Sequence, residues 1–184
     1  SLEARGDIVM GAGARIVTDP GAAVSFKGGT ITLLGSVIAP GGEITIAGAG
    51  AFPLTTSQRL SVTQALATVH LGSAASLSTA GVTRLVPDAY GRRTGKVLAG
   101  GRISISGNIL AEGGSWLDVS GTSGILDLAP TALATPAQPE IRGMIGLVST
   151  PYQRRGIATT VDSNGGTIDL TGSQMLLSDA TLLG

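Results

Sequence analysis

Apolar and polar residues alternate along short stretches of this chain, and glycine, proline or asparagine separates one stretch from the next. In GGTITLLGSVIAPGG, residues 28–42, the apolar Ile31 and Leu33 alternate with Thr30 and Thr32. This period of two is typical of a β-strand that buries one of its faces. The pattern therefore predicts many short strands of about three to five residues, with aliphatic side chains facing inward and threonines facing outward.

The same phrase recurs in GGRISISGNILAEGG, residues 100–114, which again places a second Gly-Gly pair thirteen positions after the first. Residues 164–172, NGGTIDLTG, begin it once more. Repeated units of this type bury their apolar face only by stacking on one another. A stack of coils reuses its turns at each level, whereas a sandwich of hairpins rarely does, so we predict an all-β fold with one parallel β-helix (solenoid) over residues 1–184. At about 20 to 25 residues per coil, the chain would form about seven coils.

Three stretches depart from this pattern, at about residues 52–70, 82–99 and 129–163. The first contains no glycine, the second collects Arg84, Arg92, Arg93 and Lys96, and the third is rich in alanine and proline. Stacked repeats tolerate insertions between their coils. We therefore predict that these stretches are lateral insertions on the side of the stack.

Composition narrows the class of protein. Hydrophobic residues make up 42% of 184, with 29 glycines and few aromatic residues, which predicts a folded domain with a thin aliphatic core. Twelve basic and twelve acidic residues cancel, so no net field favours nucleic acid or an anionic membrane, and no stretch is long and apolar enough to be a membrane helix. We expect neither nucleic-acid binding nor membrane insertion. The absence of cysteine excludes disulfides and thiolate chemistry.

The phrases GGTITLLGSVIAPGGEITIAG and GGRISISGNILAEGGSWLDVSG resemble the repeats of filamentous-haemagglutinin-like exoproteins, which are large secreted bacterial proteins of the two-partner secretion type. The resemblance covers residues 28–48, 71–81, 100–121 and 164–172. It implies a right-handed β-helix in the interior of a longer fibre, and export across a Gram-negative envelope through an outer-membrane transporter. It also implies a place at the bacterial cell surface or outside the cell, and a role in adhesion to host-cell or matrix glycans and proteins, or to other bacteria.

The titratable residues do not form a recognisable catalytic motif. The carboxylates are scattered singly along the chain, and His70, the only histidine, stands in an apolar context that favours packing at a strand edge. No metal-binding spacing and no cofactor motif is present, so we predict no cofactor and no metal. Adjacent coils of a β-helix can still bring distant carboxylates together. A carbohydrate-active enzyme, a lyase or hydrolase using Asp118, Asp127 and Asp169, is therefore the alternative function.

Two short motifs combine a tyrosine with a pair of arginines: Tyr90 with Arg92 and Arg93, and Tyr152 with Arg154 and Arg155. A guanidinium pair beside an aromatic ring can hold an acidic glycan or another anionic surface. These six residues are the candidate ligand-binding residues, although solvated loop tips would have the same composition. The leading prediction is a non-catalytic structural and adhesive segment that presents its loops for attachment to cell surfaces or glycans.

Overall fold

A computed structural model describes residues 1–48, 67–86, 88–89, 91–128 and 156–184. These residues form short strands and no helix, so the prediction of an all-β fold is confirmed. The strands are β1 (Leu2–Glu3), β2 (Asp7–Met10), β3 (Arg15–Val17), β4 (Ala23–Gly28), β5 (Thr30–Leu33), β6 (Ser36–Ile38), β7 (Glu43–Gly48), β8 (Thr68–Leu71), β9 (Ser76–Ser78), β10 (Val82–Leu85), β11 (Gly95–Leu98), β12 (Arg102–Ala111), β13 (Trp116–Asp118), β14 (Ser123–Leu128), β15 (Ile157–Asp162), β16 (Thr167–Ser178) and β17 (Thr181–Leu183).

Most strands pair in parallel and fall into three rows. The first row is β1, β4, β7, the first half of β12 and the first half of β16. The second row is β2, β5, β8 and the second halves of β12 and β16. The third row is β3, β6, β9, β13 and β17. Each row of described strands is therefore five levels deep, and the chain visits the rows in the same order at each level.

The core is a set of aliphatic ladders that run across the levels. In the first row Val24, Ile44, Ile103 and Ile168 are successive register partners, and the first three are buried. Ile31, Val69 and Ile109 form the equivalent ladder in the second row, and Val37, Leu77 and Leu117 in the third. In the first two rows the threonines and serines between these positions are partly exposed, whereas Ser76 and Ser78 beside Leu77 in the third row are buried. The alternation in the sequence thus places one aliphatic layer of each level directly on the next.

The two copies of the long phrase do not lie on top of each other. Arg102, after the Gly-Gly pair at 100–101, is the partner of Glu43, and Glu43 follows the pair at 41–42. The phrase at 28–33 leads instead into the second row, where Thr30 pairs with Thr68 and Thr68 pairs with Asn108. The two copies of the sequence phrase therefore lie in different rows. The first copy leads into the second row, and the second copy leads into the first row. Both phrases begin with a glycine pair followed by alternating aliphatic residues, so their sequences do not distinguish the two rows.

Glycine is required where the chain enters the first row. The N–H of Arg102 donates to the carbonyl oxygen of Gly42 at 2.9 Å, and the N–H of Thr167 donates to that of Gly101 at 3.0 Å. A Cβ atom on Gly42, Gly101 or Gly166 would overlap a carbonyl oxygen of the level below. Because adjacent levels are only about 4.8 Å apart, this turn has no space for a side chain.

Asn108 joins the two highest levels between the first and second rows. Its side chain is 3% exposed, and its Oδ1 accepts hydrogen bonds from the N–H groups of Gln174 and Met175 at 2.9 and 3.1 Å. The pairing of β12 with β16 shifts register at this point, between Gly107 and Ile109. The buried amide therefore satisfies two backbone donors that the irregular ladder leaves without a partner.

The first and last levels expose apolar side chains. Val9 and Val17 are 68% and 57% exposed on the first level, and Leu177 and Leu183 are 55% and 45% exposed on the last. The outer backbone edges of these strands have no neighbouring strand among the described residues. Unpaired edges with apolar side chains favour the addition of further strands.

Two hairpins leave the stack at one corner, between the third row and the first. The first hairpin is β10 and β11, at residues 82–98, and the second contains β14 and β15, which flank residues 129–155. The second stem begins at Ser123, before the stretch predicted at 129–163. Of the stretch predicted at 52–70, residues 52–66 lie outside the described residues, and Thr68–Leu71 belong to the second row.

Candidate binding site

The two hairpins pack side by side because they leave the same corner at consecutive levels. Thr83 Oγ1, in β10, donates a hydrogen bond to the carbonyl oxygen of Ser123 at 3.3 Å. The N–H of Asp127, in β14, donates to the carbonyl oxygen of Arg93 at 2.9 Å. The first hairpin is thus fixed on one side by the second hairpin. Its other side faces the turn of the first level at Pro20 and Gly21.

Both arginines of the first predicted motif are held by carboxylates of the protein. The backbone N–H of Arg92 donates to Asp88 Oδ1 at 3.0 Å, and the two side chains form an ion pair. Arg93 donates three hydrogen bonds to Asp127, from its backbone N–H at 2.7 Å, from Nη2 at 2.9 Å and from Nε at 3.4 Å. These hydrogen bonds lower the pKa of Asp127 and raise the pKa of Arg93 from their ordinary values. Arg92 shapes the end of the first hairpin, and Arg93 joins it to the second.

The other four residues of the two predicted motifs, Tyr90, Tyr152, Arg154 and Arg155, lie outside the described residues. Strand β14 lies beside β10 and β11.

Two other cations face each other across the first hairpin. Arg84 and Lys96 are direct register partners in the antiparallel pair of β10 and β11, and both are exposed. Lys27, Arg92, Arg93 and Arg102 each form an ion pair with a carboxylate, whereas neither Arg84 nor Lys96 has one among the described residues. Like charges directly opposite on paired strands repel each other. The first hairpin therefore holds two positive charges that an anion would stabilise.

A cleft of about 400 Å³ opens beside this pair. We call it the hairpin cleft. Arg84 and Lys96 line it together with the apolar side chains of Val86, Leu98 and Pro20. Gly21 and Gly95 complete its wall. A Cβ atom on Gly95 would overlap the carbonyl oxygen of Arg84, so the two strands approach closely at that point. The cleft combines an apolar wall with two cationic groups.

The sequence motifs did not single out Arg84 and Lys96 as a pair, because the two residues lie twelve positions apart and neither is next to another charged residue. Only the register of the hairpin brings them together. The sequence DAYGR at residues 88–92 indicates a turn, and pairing outward from its centre would have aligned the two cations.

The carboxylates of the enzymatic alternative are held separately. Asp118 lies in the third row, Asp169 in the first row and Asp127 in the second hairpin. Asp127 pairs with Arg93, Asp169 pairs with Arg102, and Asp118 accepts a hydrogen bond from the N–H of Ser120 at 2.9 Å. Each of the three therefore has a local partner on a different sheet.

His70 lies on the outward side of β8. Its Nε2 is 2.8 Å from Glu112 Oε1, and the N–H of Ser73 donates to Glu112 Oε2 at 2.9 Å. The hydrogen bond with His70, followed by that from Ser73, lowers the pKa of Glu112. This pair links the third and fourth levels on the surface.

No group of three or more His, Cys, Asp or Glu side chains in the described part of the chain is placed to hold a metal ion. Within the same residues, no helix has the length and apolarity needed to cross a membrane. Neither models of protein families, nor curated proteins, nor solved structures match the chain significantly.

Proposed function

We propose that the chain is a non-catalytic structural and adhesive segment of a large secreted or surface-anchored bacterial fibre protein. Its shaft is a right-handed parallel β-helix, and the hairpins at its corner attach to cell surfaces or glycans. The three rows of parallel strands, visited in the same order at each level, support the β-helix. A crystal structure with the opposite hand, or with rows that do not close into coils, would refute this shaft.

The observation that carries the proposal is the pairing of the first row. Its strands keep the same register although chain segments of different length precede them at the corner. Glu43, Arg102 and Thr167 are successive partners in the first row, although residues 39–42, 79–101 and 119–166 precede them at the corner. The stack therefore accommodates excursions of very different length without changing its own pairing. A scaffold that carries variable projections on a regular shaft is suited to attachment.

The resemblance of the repeated phrases to filamentous-haemagglutinin-like exoproteins of the two-partner secretion type supports the proposed setting. In that setting an outer-membrane transporter exports the parent protein, and the segment is displayed outside the cell. Its partners there are glycans or proteins of host cells, of the extracellular matrix or of other bacteria.

The test replaces residues 79–101 by Ala-Pro-Gly-Gly, the sequence of the short turn that the same corner has at residues 39–42. We expect the variant to keep a cooperative thermal transition and to lose most binding to epithelial cells and to an immobilised glycan panel. The unfolding transition controls for loss of the fold. Undiminished attachment by a folded variant would contradict the proposal that the first hairpin presents the binding surface.

The enzymatic alternative needs an acid and a base close together. The three candidate carboxylates lie on different sheets and each has its own local partner, which favours the non-catalytic proposal. Incubation with a panel of acidic polysaccharides, followed by detection of new reducing ends or unsaturated products, separates the two. Turnover that is lost in the Asp169→Asn variant would favour the enzyme.

A further inference from the structure

We infer that the hairpin cleft binds an acidic polysaccharide, with a carboxylate or sulfate group of the sugar held between Arg84 and Lys96. This inference rests on the proposed attachment function and adds to it the chemical class of the ligand and the residues that contact it. The anion would be shared by a planar guanidinium, which can bind it through two hydrogen bonds, and an ammonium group opposite.

The electrostatic argument starts from the pairing of the two strands. Directly opposed side chains in an antiparallel pair have Cβ atoms about 4.5 to 5.5 Å apart, so two like charges there destabilise the hairpin. The first hairpin places its other two arginines against carboxylates but leaves Arg84 and Lys96 without one among the described residues. Asp19 precedes Pro20 in the sequence but does not line the cleft. An anion between Arg84 and Lys96 would attract both cations and so offset their mutual repulsion.

The shape of the cleft favours a sugar over a bare anion. Val86, Leu98 and Pro20 give it an apolar wall beside the cations. A pyranose ring has one face of C–H groups, which packs on an apolar surface while its charged substituent reaches a cation. A volume of about 400 Å³ also lies within the range of sites for small ligands. The site thus matches a charged sugar unit in both its apolar and its charged parts.

The cleft is also preorganised. The Arg93–Asp127 pair and the hydrogen bond from Thr83 to Ser123 hold the first hairpin against the second. At the base of the hairpin, a Cβ atom on Gly41 would lie 3.0 Å from the Cβ of Leu98, so the hairpin also packs closely on the turn of the second level. Because the hairpin is fixed on both sides, binding would not have to order it, which favours affinity.

The experiment measures binding of the purified chain to polygalacturonate, heparin and neutral dextran at low and moderate salt. We expect binding to the two acidic polymers, weak binding to dextran, and a decrease in affinity as salt increases. The variants Arg84→Ala and Lys96→Ala should each weaken binding to the acidic polymers by about tenfold, near the lower end of the range for a hydrogen bond to a charged group. Arg84→Glu combined with Lys96→Glu should abolish binding.

Arg15→Ala is the matched control, because Arg15 is an exposed cation on β3 that has no ion pair among the described residues and does not line the cleft. It should bind as the unmodified chain does. Equal losses in Arg15→Ala and Arg84→Ala would indicate a general charge effect and overturn the inference. Thermal unfolding of every variant confirms that the loss is not one of folding.

Three further outcomes separate the possible failures. If millimolar inorganic sulfate displaces the polymers completely and the apolar substitution Leu98→Ala has no effect, the cleft binds small anions only, and the polysaccharide inference is wrong. If the chain attaches to cells and the double glutamate variant attaches equally, this inference fails while the proposed function stands. If the unmodified chain binds neither cells nor any glycan, the proposed function itself fails.

Discussion

The backbone of Gly101 passes so close to the carbonyl oxygen of Gly42 that no Cβ atom fits between them. Gly101→Ala should therefore force the two levels apart and lower the free energy of unfolding by about 2 kcal/mol or more, as overpacking does. Chemical denaturation measures the change. Gly113→Ala is the matched control, because its Cβ would be 3.9 Å from the nearest atom, the Cβ of Asp179. Equal stability of the two variants would contradict the close approach.

Ile103 is fully buried in the first row, and its replacement by aspartate would place a charge in the aliphatic ladder without a partner. We expect Ile103→Asp to prevent folding, which circular dichroism and thermal unfolding would show. Ser106→Asp, at an outward position of the same strand, should remain folded. A folded Ile103→Asp protein with an unchanged melting curve would refute the register of β12.

The Asn108 amide accepts hydrogen bonds from two backbone N–H groups of the last level. Asn108→Ala should destabilise the chain by about 2 kcal/mol, because buried donors that lose their partner carry a desolvation penalty. Native-state hydrogen exchange gives a local readout. Protection should fall at Gln174 and Met175 more than at Leu170, and uniform loss of protection would point to a global effect instead.

The pKa of Asp127 is lowered in the folded chain by its hydrogen bonds with Arg93. Its contribution to stability is therefore complete above its unfolded pKa of about 4 and is lost as the pH falls through the lower, folded pKa. Asp127→Asn should be less stable than the unmodified chain at pH 7. Urea unfolding between pH 7 and pH 2 should show this difference shrinking with acidity, and a difference that grows would contradict the ion pair.

The exposed edges of the first and last levels predict concentration-dependent association of the isolated chain. The substitutions Val17→Lys and Leu183→Lys should each reduce it, because each places a charge on an apolar outer strand. Sedimentation velocity over a range of concentrations measures the effect. Ile125→Lys is the control, since Ile125 is 49% exposed in the second hairpin and away from both edges. A decrease of equal size in the control would show that the edges are not responsible.

The alternation of Ile31 and Leu33 with threonines was sufficient to predict strands with one buried face, because burial repeats every two residues in a strand. The row to which each phrase belongs was not predictable. Residues 28–33 and 100–105 share glycines and aliphatic residues, since both enter a row through a close turn, yet they lie in different rows. The described strands form five levels, against an estimate of about seven coils for the chain, and the strands of the two hairpins lie outside the stack.

The candidate site was predicted only in part. The sequence placed arginines of the second departing stretch on the side of the stack, but it could not show that Arg93 is held by Asp127, which lies 34 positions further along the chain. It also could not align Arg84 with Lys96 without the register of the hairpin. Contacts between the excursions depend on tertiary packing, which local patterns do not contain.

The corner between the third and first rows has a consequence for variation among related chains. The strands on either side resume their pairing after residues 39–42, after residues 79–101 and after residues 119–166. Mutation can therefore lengthen, shorten or exchange the projecting segments there while the strand pairing of the stack is kept. The same property makes this corner a site for grafting foreign peptides, with their spacing set by the distance between levels of the stack.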